Sequence, residues 1–146
     1  MIFLKDHTIS LLKECDSGCK MAVNSMDQVL EYVSNEKLRK TIEDYEKRHQ
    51  DLEYEAFKQL NILDETGKEP ERVASMFSKF STDMKMMIKG DDRQVAKIMM
   101  DGCNMGIQSI SGFKNQYPGA SKKSMELADR IVKTEEAFMA AMKGYL

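Results

Sequence analysis

The chain of 146 residues carries a net charge of −2, with 42% hydrophobic and 32% charged residues, a composition typical of a globular domain in water. It has no basic cluster, which argues against a nucleic-acid partner, and no apolar run long enough for a membrane span or a signal sequence. Its three cysteines form no CxxC pair and no disulfide framework, so we predict a cytoplasmic protein with free thiols.

Apolar residues recur with helical spacing along almost the whole chain, which predicts one all-α domain over residues 1–146. The first predicted helix runs from about Thr8 to Val33. The second follows the break at Ser34–Glu36 and ends near Leu60. Because this break is short, the two helices are expected to form an antiparallel hairpin.

Further helices are predicted in the second half of the chain. A loop over residues 64–70 precedes a shorter, methionine-rich helix over about Glu71 to Lys89. Two long helices follow, from about Asp92 to Gln116 and from about Ser121 to Tyr145, separated by the helix-breaking sequence at residues 117–119. We expect the methionine-rich helix to cover the bundle. A homodimer contact and a membrane-surface or partner-binding face remain open as alternatives for it.

A local pattern occurs twice in the chain. Gly18-Cys19 and Gly102-Cys103 lie 84 residues apart in the same helical register, and the apolar stripes of the flanking helices match at this spacing. The second helices of the two hairpins match at a spacing of 86 residues, which aligns His49 with Glu135. We therefore predict two hairpins that are distant copies and that pack into an antiparallel four-helix bundle with one long crossover.

Folding each hairpin at its turn brings polar residues to one level of this bundle. Cys19, His49, Cys103 and Glu135 all fall on core-facing stripes near the middle, and Glu46 borders them one turn before His49. A charged or imidazole side chain in a core is costly unless it is paired or bound to a metal. The sequence therefore predicts a single polar layer halfway along the bundle.

The chain resembles the ferritin-like superfamily, and within it a bacterial family of four-helix proteins. The resemblance rests on "GC" in the first helix, "EKRH" in the second, "GKEPE" before the crossover, and "KGDDRQV" and "GC" around the fourth; it covers about Thr8 to Tyr145. It implies a ferritin-like bundle with an extra crossover helix. Di-iron members of the superfamily carry a glutamate on the first and third bundle helices and Glu-x-x-His on the second and fourth.

The sequence departs from this di-iron pattern at most positions. Glu46–His49 matches one Glu-x-x-His element, whereas Val132–Glu135 ends in an acid where the second element has its histidine. Cys19 and Cys103 stand where the resemblance implies glutamates, and thiols are poor substitutes for the carboxylates that a pair of irons shares. The resemblance thus implies a bundle whose di-iron site has decayed, with a structural or interaction role and no enzymatic activity.

Two interpretations of the polar layer remain open. In one, the cysteines are small core residues and His49 is hydrogen-bonded to Glu135 or Glu46. In the other, the layer binds one divalent metal, zinc or iron, since thiols, imidazole and carboxylate are all metal ligands. The candidate metal ligands are Cys19, Glu46, His49, Cys103 and Glu135.

Three glycines lie inside predicted helices at Gly18, Gly102 and Gly106. Each weakens its helix by about 1 kcal/mol relative to alanine. Such a glycine permits either close packing of two helices or close approach of the backbone to a site. The sequence alone leaves both interpretations open.

Overall fold

A computed structural model describes residues 2–65 and 91–146 of the chain. All regular structure in these two ranges is helical, which confirms the all-α prediction, and none of these helices combines the length and apolarity that a membrane span requires. The methionine-rich helix predicted over Glu71 to Lys89 lies outside the described residues. The described helices are α1 (Ile2–Leu30), α2 (Glu36–Ile62), α3 (Asp92–Gln116) and α4 (Lys122–Met142), followed by a 3₁₀ turn at Lys143–Tyr145.

The bounds of α3 are those predicted from the sequence, whereas α1 differs at both ends. It begins at Ile2 instead of Thr8. The hydroxyl of Thr8 accepts a hydrogen bond from the backbone N–H of Ser121 at 2.8 Å and therefore tethers the start of α4. At its other end α1 stops at Leu30. There the guanidinium of Arg39 donates hydrogen bonds to the carbonyl oxygens of Leu30 and Val33, and these bonds satisfy backbone acceptors at the end of the helix.

Side-chain caps fix the start of each later helix. The side-chain oxygen of Asn35 accepts hydrogen bonds from two backbone N–H groups in the first turn of α2, at 2.8 and 3.0 Å. The side chain of Asp91 accepts one such hydrogen bond at the start of α3, and the side chain of Ser121 accepts one at the start of α4. Because Asn, Asp and Ser are the preferred capping residues, these starts are encoded locally, and all three lie within one residue of the predicted positions.

Contacts at the bundle ends define its topology. Lys13, in the first half of α1, forms an ion pair with Glu65, just beyond the end of α2. At the other end, the carboxylate of Asp92 accepts hydrogen bonds from the backbone N–H groups of Ser34 and Asn35, at 2.8 and 3.1 Å. Therefore α1 is antiparallel to both α2 and α3, and α2 is parallel to α3, as a four-helix bundle with one long crossover requires.

The apolar core consists of two clusters, one toward each end of the bundle. On α2 one cluster ends at Tyr45 and the other begins at Leu52, and on α4 the corresponding limits are Phe138 and Ile131. His49 and Glu135 fall between these limits. The gap between the clusters is therefore the middle of the bundle, where a polar layer was predicted.

Candidate functional site

The centre of the bundle holds a buried pair formed by His49 of α2 and Glu135 of α4. Only 1% of His49 and 6% of Glu135 is exposed to solvent. The Nδ1 atom of His49 lies 2.7 Å from the carbonyl oxygen of Tyr45. Since a carbonyl can only accept, Nδ1 carries a proton and donates it. The opposite ring nitrogen, Nε2, forms a hydrogen bond with Oε1 of Glu135.

The surroundings of His49 favour its charged form. Burial is the largest single influence and lowers the pKa of the imidazole. The hydrogen bond to Glu135, the charge of that carboxylate and the bond to the Tyr45 carbonyl together outweigh burial and raise the pKa above its ordinary value of 6.5. The imidazole is thus hydrogen-bonded at both ring nitrogens, and its contacts with Glu135 and Tyr45 favour the protonated form.

Both predicted cysteines reach the same layer. The Cys103 thiol is hydrogen-bonded to Glu135, and Cys19 lies close enough to Glu135 for that charge to raise its pKa. In each thiol the main cause of the raised pKa is burial, which also raises the pKa of Cys15 to about 12. The three thiols therefore stay protonated and are poor nucleophiles.

Glu46, which was predicted to border the layer, has a partner on α1. Its carboxyl group is hydrogen-bonded to Asp27 of α1. Burial, this bond, and the charges of Asp27 and Glu43 raise the pKa of Glu46 to about 7. Two carboxyl groups can share a hydrogen bond only if one keeps its proton, so Glu46 belongs to an acid pair between α1 and α2.

The acid pair makes stability depend on pH. The folded state holds a proton on Glu46 up to about pH 7, whereas the unfolded chain loses it near pH 4.5. The protonated acid pair therefore stabilises the fold fully below pH 4.5, and this stabilisation is lost as the pH rises to 7. We expect Glu46→Gln to flatten the dependence in this window, with a gain on the order of 1 kcal/mol at pH 8. Urea unfolding between pH 4 and 8 measures this effect.

Glu126→Gln provides the control, because Glu126 is exposed on α4 and its charge is not among those that raise the pKa of Glu46. A smaller fall in the free energy of unfolding above pH 6.5 should persist in both variants. The raised pKa of His49 means that its protonated form also stabilises the fold at low pH, and this stabilisation fades as the pH rises. Identical profiles for Glu46→Gln and the unaltered protein would contradict the acid pair.

The polar layer does not suit a di-iron centre. The carboxylate of this layer comes from Glu135, whereas the carboxyl group of Glu46 is engaged with Asp27 of α1. Two irons need several shared carboxylates. In the parts of the chain that the structure describes, no group of three or more His, Cys, Asp and Glu side chains is arranged to hold a metal ion.

A pocket of about 470 Å³ lies directly beside this layer. Its walls come from α1 between Glu14 and Met26 and from α3 between Met99 and Gln116, and its floor is formed by His49, Glu135 and neighbouring apolar side chains of α4. The lining is mostly apolar. A cavity of this size with few polar groups has the character of a small-molecule site.

Two glycines show how the pocket is shaped. A Cβ atom at Gly106 would lie 2.9 Å from Oε2 of Glu135, closer than such atoms normally approach. At Gly18 the nearest atom, on Ile110, would be 3.6 Å away, which is an ordinary contact. The α3 backbone at Gly106 therefore packs closely against the carboxylate of Glu135, and both residues line the pocket.

Sequence patterns did not indicate the pocket, the Asp27 partner of Glu46 or the role of Gly106. The mid-helix glycine was the one available signal, and its spacing did not distinguish packing from a site. Each of these features depends on which side chains of different helices meet, and periodicity within one helix does not contain that information.

Fold and site together define an all-α four-helix bundle with a buried His–Glu pair and an adjoining pocket. Comparison with known proteins found no matching family model, no similar curated protein and no similar solved structure.

Proposed function

We propose that the protein is a non-catalytic binding protein with a ferritin-like fold, in which the pocket between α1 and α3 takes up a small apolar molecule. The observation that carries this proposal is the pocket itself, an apolar space of about 470 Å³ that ends on a buried ion pair. Known small-molecule sites combine an apolar lining with a few fixed polar groups in the same way.

The ferritin-like part of the proposal is supported by topology. Parallel α2 and α3, joined by one long crossover, form the arrangement that ferritin-like folds share. The layer of Cys19, His49, Cys103 and Glu135 lies at the level where such bundles place their metal centre. The pairs that the two hairpin repeats align, Cys19 with Cys103 and His49 with Glu135, meet around this one carboxylate, which is consistent with a duplicated hairpin.

The state of the candidate groups supports a non-catalytic role. The buried thiols are held protonated, and both nitrogens of His49 are already engaged by Tyr45 and Glu135. A general base needs a free nitrogen within reach of its substrate. The layer therefore suits a fixed polar floor better than a reacting centre.

A neutral fluorescent probe, N-phenyl-1-naphthylamine, tests the pocket. We expect saturable binding that Met105→Trp weakens by about tenfold, because Met105 lines the pocket and the larger ring would fill it. Met100→Trp is the matched control: Met100 is also half-buried on α3 but packs against the apolar cluster and does not line the pocket. Non-saturable binding by the folded protein, or equal losses in both variants, would overturn the proposal.

A metal-binding function is the second candidate, favoured by the convergence of two thiols, an imidazole and a carboxylate on one layer. Cys19, His49, Cys103 and Glu135 would be the ligands of a zinc ion. Binding requires both thiols to lose protons that burial helps them retain. About one equivalent of zinc in freshly purified protein, lost in Cys103→Ala, would support this function. A metal-free protein that is indifferent to chelator would exclude it.

A further inference from the structure

We propose that the natural ligand of the pocket is an apolar amine whose protonated nitrogen donates a hydrogen bond to the carboxylate of Glu135. This inference rests on the proposed function and specifies the chemical class of its ligand. Three features carry it: the charges around the pocket, the accessible oxygen of Glu135 and the nature of the walls.

The charges around the pocket are unfavourable for an anion. In the described part of the chain no lysine or arginine lines the pocket, whereas the glutamates Glu14 and Glu135 do. Among the described lining residues the basic group is the imidazole of His49, and both of its ring nitrogens already have partners. Among the described residues a carboxylate or phosphate ligand would thus find no free basic side chain in this apolar site, and burying an unpaired charge is strongly disfavoured.

The carboxylate of Glu135 retains capacity to accept a further hydrogen bond. One oxygen is bonded to His49, and the other partner that we identify is the thiol of Cys103, a weak donor. A carboxylate offers about four acceptor positions. An ammonium group, as a charged donor, forms a shorter and stronger bond to a carboxylate than a thiol does.

Access to this oxygen is provided by the backbone of α3. Oε2 of Glu135 lies beside Gly106, at a distance that leaves no room for a Cβ atom. Glycine at this position removes the side chain that would otherwise cover the carboxylate on the pocket side. Because Glu135 and Gly106 both line the pocket, we infer that a ligand in this space can reach the second carboxylate oxygen.

The walls of the pocket suit an apolar body of variable shape. Among the described residues four methionines line it, namely Met21, Met26, Met99 and Met105. Methionine side chains are flexible and polarizable, and they adapt to ligands of irregular shape. An apolar tail along these walls, with an amine at the floor, would satisfy both parts of the site.

A matched series of octyl compounds tests this inference on the unaltered protein. Octylamine, 1-octanol and octanoate share one chain length and differ in the charge of the head group. In titration calorimetry at pH 7 we expect octylamine to bind about tenfold more tightly than 1-octanol, and octanoate to bind most weakly. Equal affinities, or preference for octanoate, would overturn the inference and leave the binding function intact. Binding of none of the three, together with no binding of the fluorescent probe, would overturn both proposals.

Two glycine variants locate the amine. Gly106→Ala places a methyl group against Oε2 of Glu135 and should reduce the preference for octylamine over 1-octanol to less than about threefold. Gly112→Ala is the matched control, because Gly112 also lines the pocket on α3 and an added Cβ there has no neighbour within 4 Å. Circular dichroism confirms that both variants are folded. An unchanged preference in folded Gly106→Ala would contradict the assignment of Glu135 as the amine acceptor.

Discussion

Replacing His49 by leucine is expected to lower the free energy of unfolding by about 3–5 kcal/mol, because the carboxylate of Glu135 would remain buried without its imidazole partner. Glu135→Leu should have an effect of similar size, since it leaves the imidazole of His49 unpaired in the core. Denaturation by urea, monitored by circular dichroism at pH 7, measures both losses.

The double variant His49→Leu/Glu135→Leu distinguishes a coupled pair from two independent core positions. Replacing both members of a buried ion pair by apolar residues is often nearly neutral, so the double variant should be at least about 2 kcal/mol more stable than the sum of the single losses predicts. Purely additive losses would contradict the pairing of His49 with Glu135.

A surface ion pair on the same helix provides the control for burial. Lys47 and Asp51 of α2 form an ion pair, and both side chains are well exposed. Asp51→Ala should change the free energy of unfolding by less than about 1 kcal/mol, because solvent screens exposed pairs. A comparable loss at both sites would show that helix effects, rather than burial, determine the result.

Replacing Phe138 by alanine is the second change with a large expected effect, a loss of about 3–5 kcal/mol. The ring of Phe138 is 3% exposed, stacks on Tyr45 with centroids 4.7 Å apart, and meets the ring of His49 edge-on at 6.3 Å. Its removal would leave a cavity beside the His49–Glu135 pair and would remove an aromatic contact from each neighbour. Chemical denaturation measures the loss.

Phe57→Ala is the matched control for this variant. Phe57 is 50% exposed and stacks on the exposed ring of Tyr54, so its removal creates no buried cavity. We expect a loss below about 1 kcal/mol at this position.

Because Phe138 also lines the pocket, benzene should stabilise the Phe138→Ala variant in proportion to the fraction of the site that it occupies, as linkage requires. Equal losses at Phe57 and Phe138 would contradict the assignment of Phe138 to the core.

Part of the site could be predicted from the sequence. The layer of Cys19, His49, Cys103 and Glu135 was predicted from helical register and from counting back from each turn, and the structure brings these residues together. This worked because the rise per residue along a helix is constant, so that equal distances from a tight turn place residues at equal depth.

Other parts required the folded chain. Glu46 shares the helix and the neighbourhood of His49, yet it pairs with Asp27. Thr8 has the character of a helix cap, yet it bonds to Ser121, which is 113 residues away in the chain. In both cases the partner lies on another helix, and a pattern within one helix specifies the face that a residue occupies but not the residue that it meets.

The sequence by itself determined the helical class of this protein, the starts of its capped helices and the depth at which its polar side chains lie, because these follow from local backbone geometry and from apolar spacing along each helix. Only the tertiary structure decided that Glu135 bonds to His49 and Cys103, that Gly106 packs against this carboxylate, and that α1 and α3 enclose a pocket. The physical reason is that side-chain reach and the lateral separation of helices depend on how all the helices pack at once.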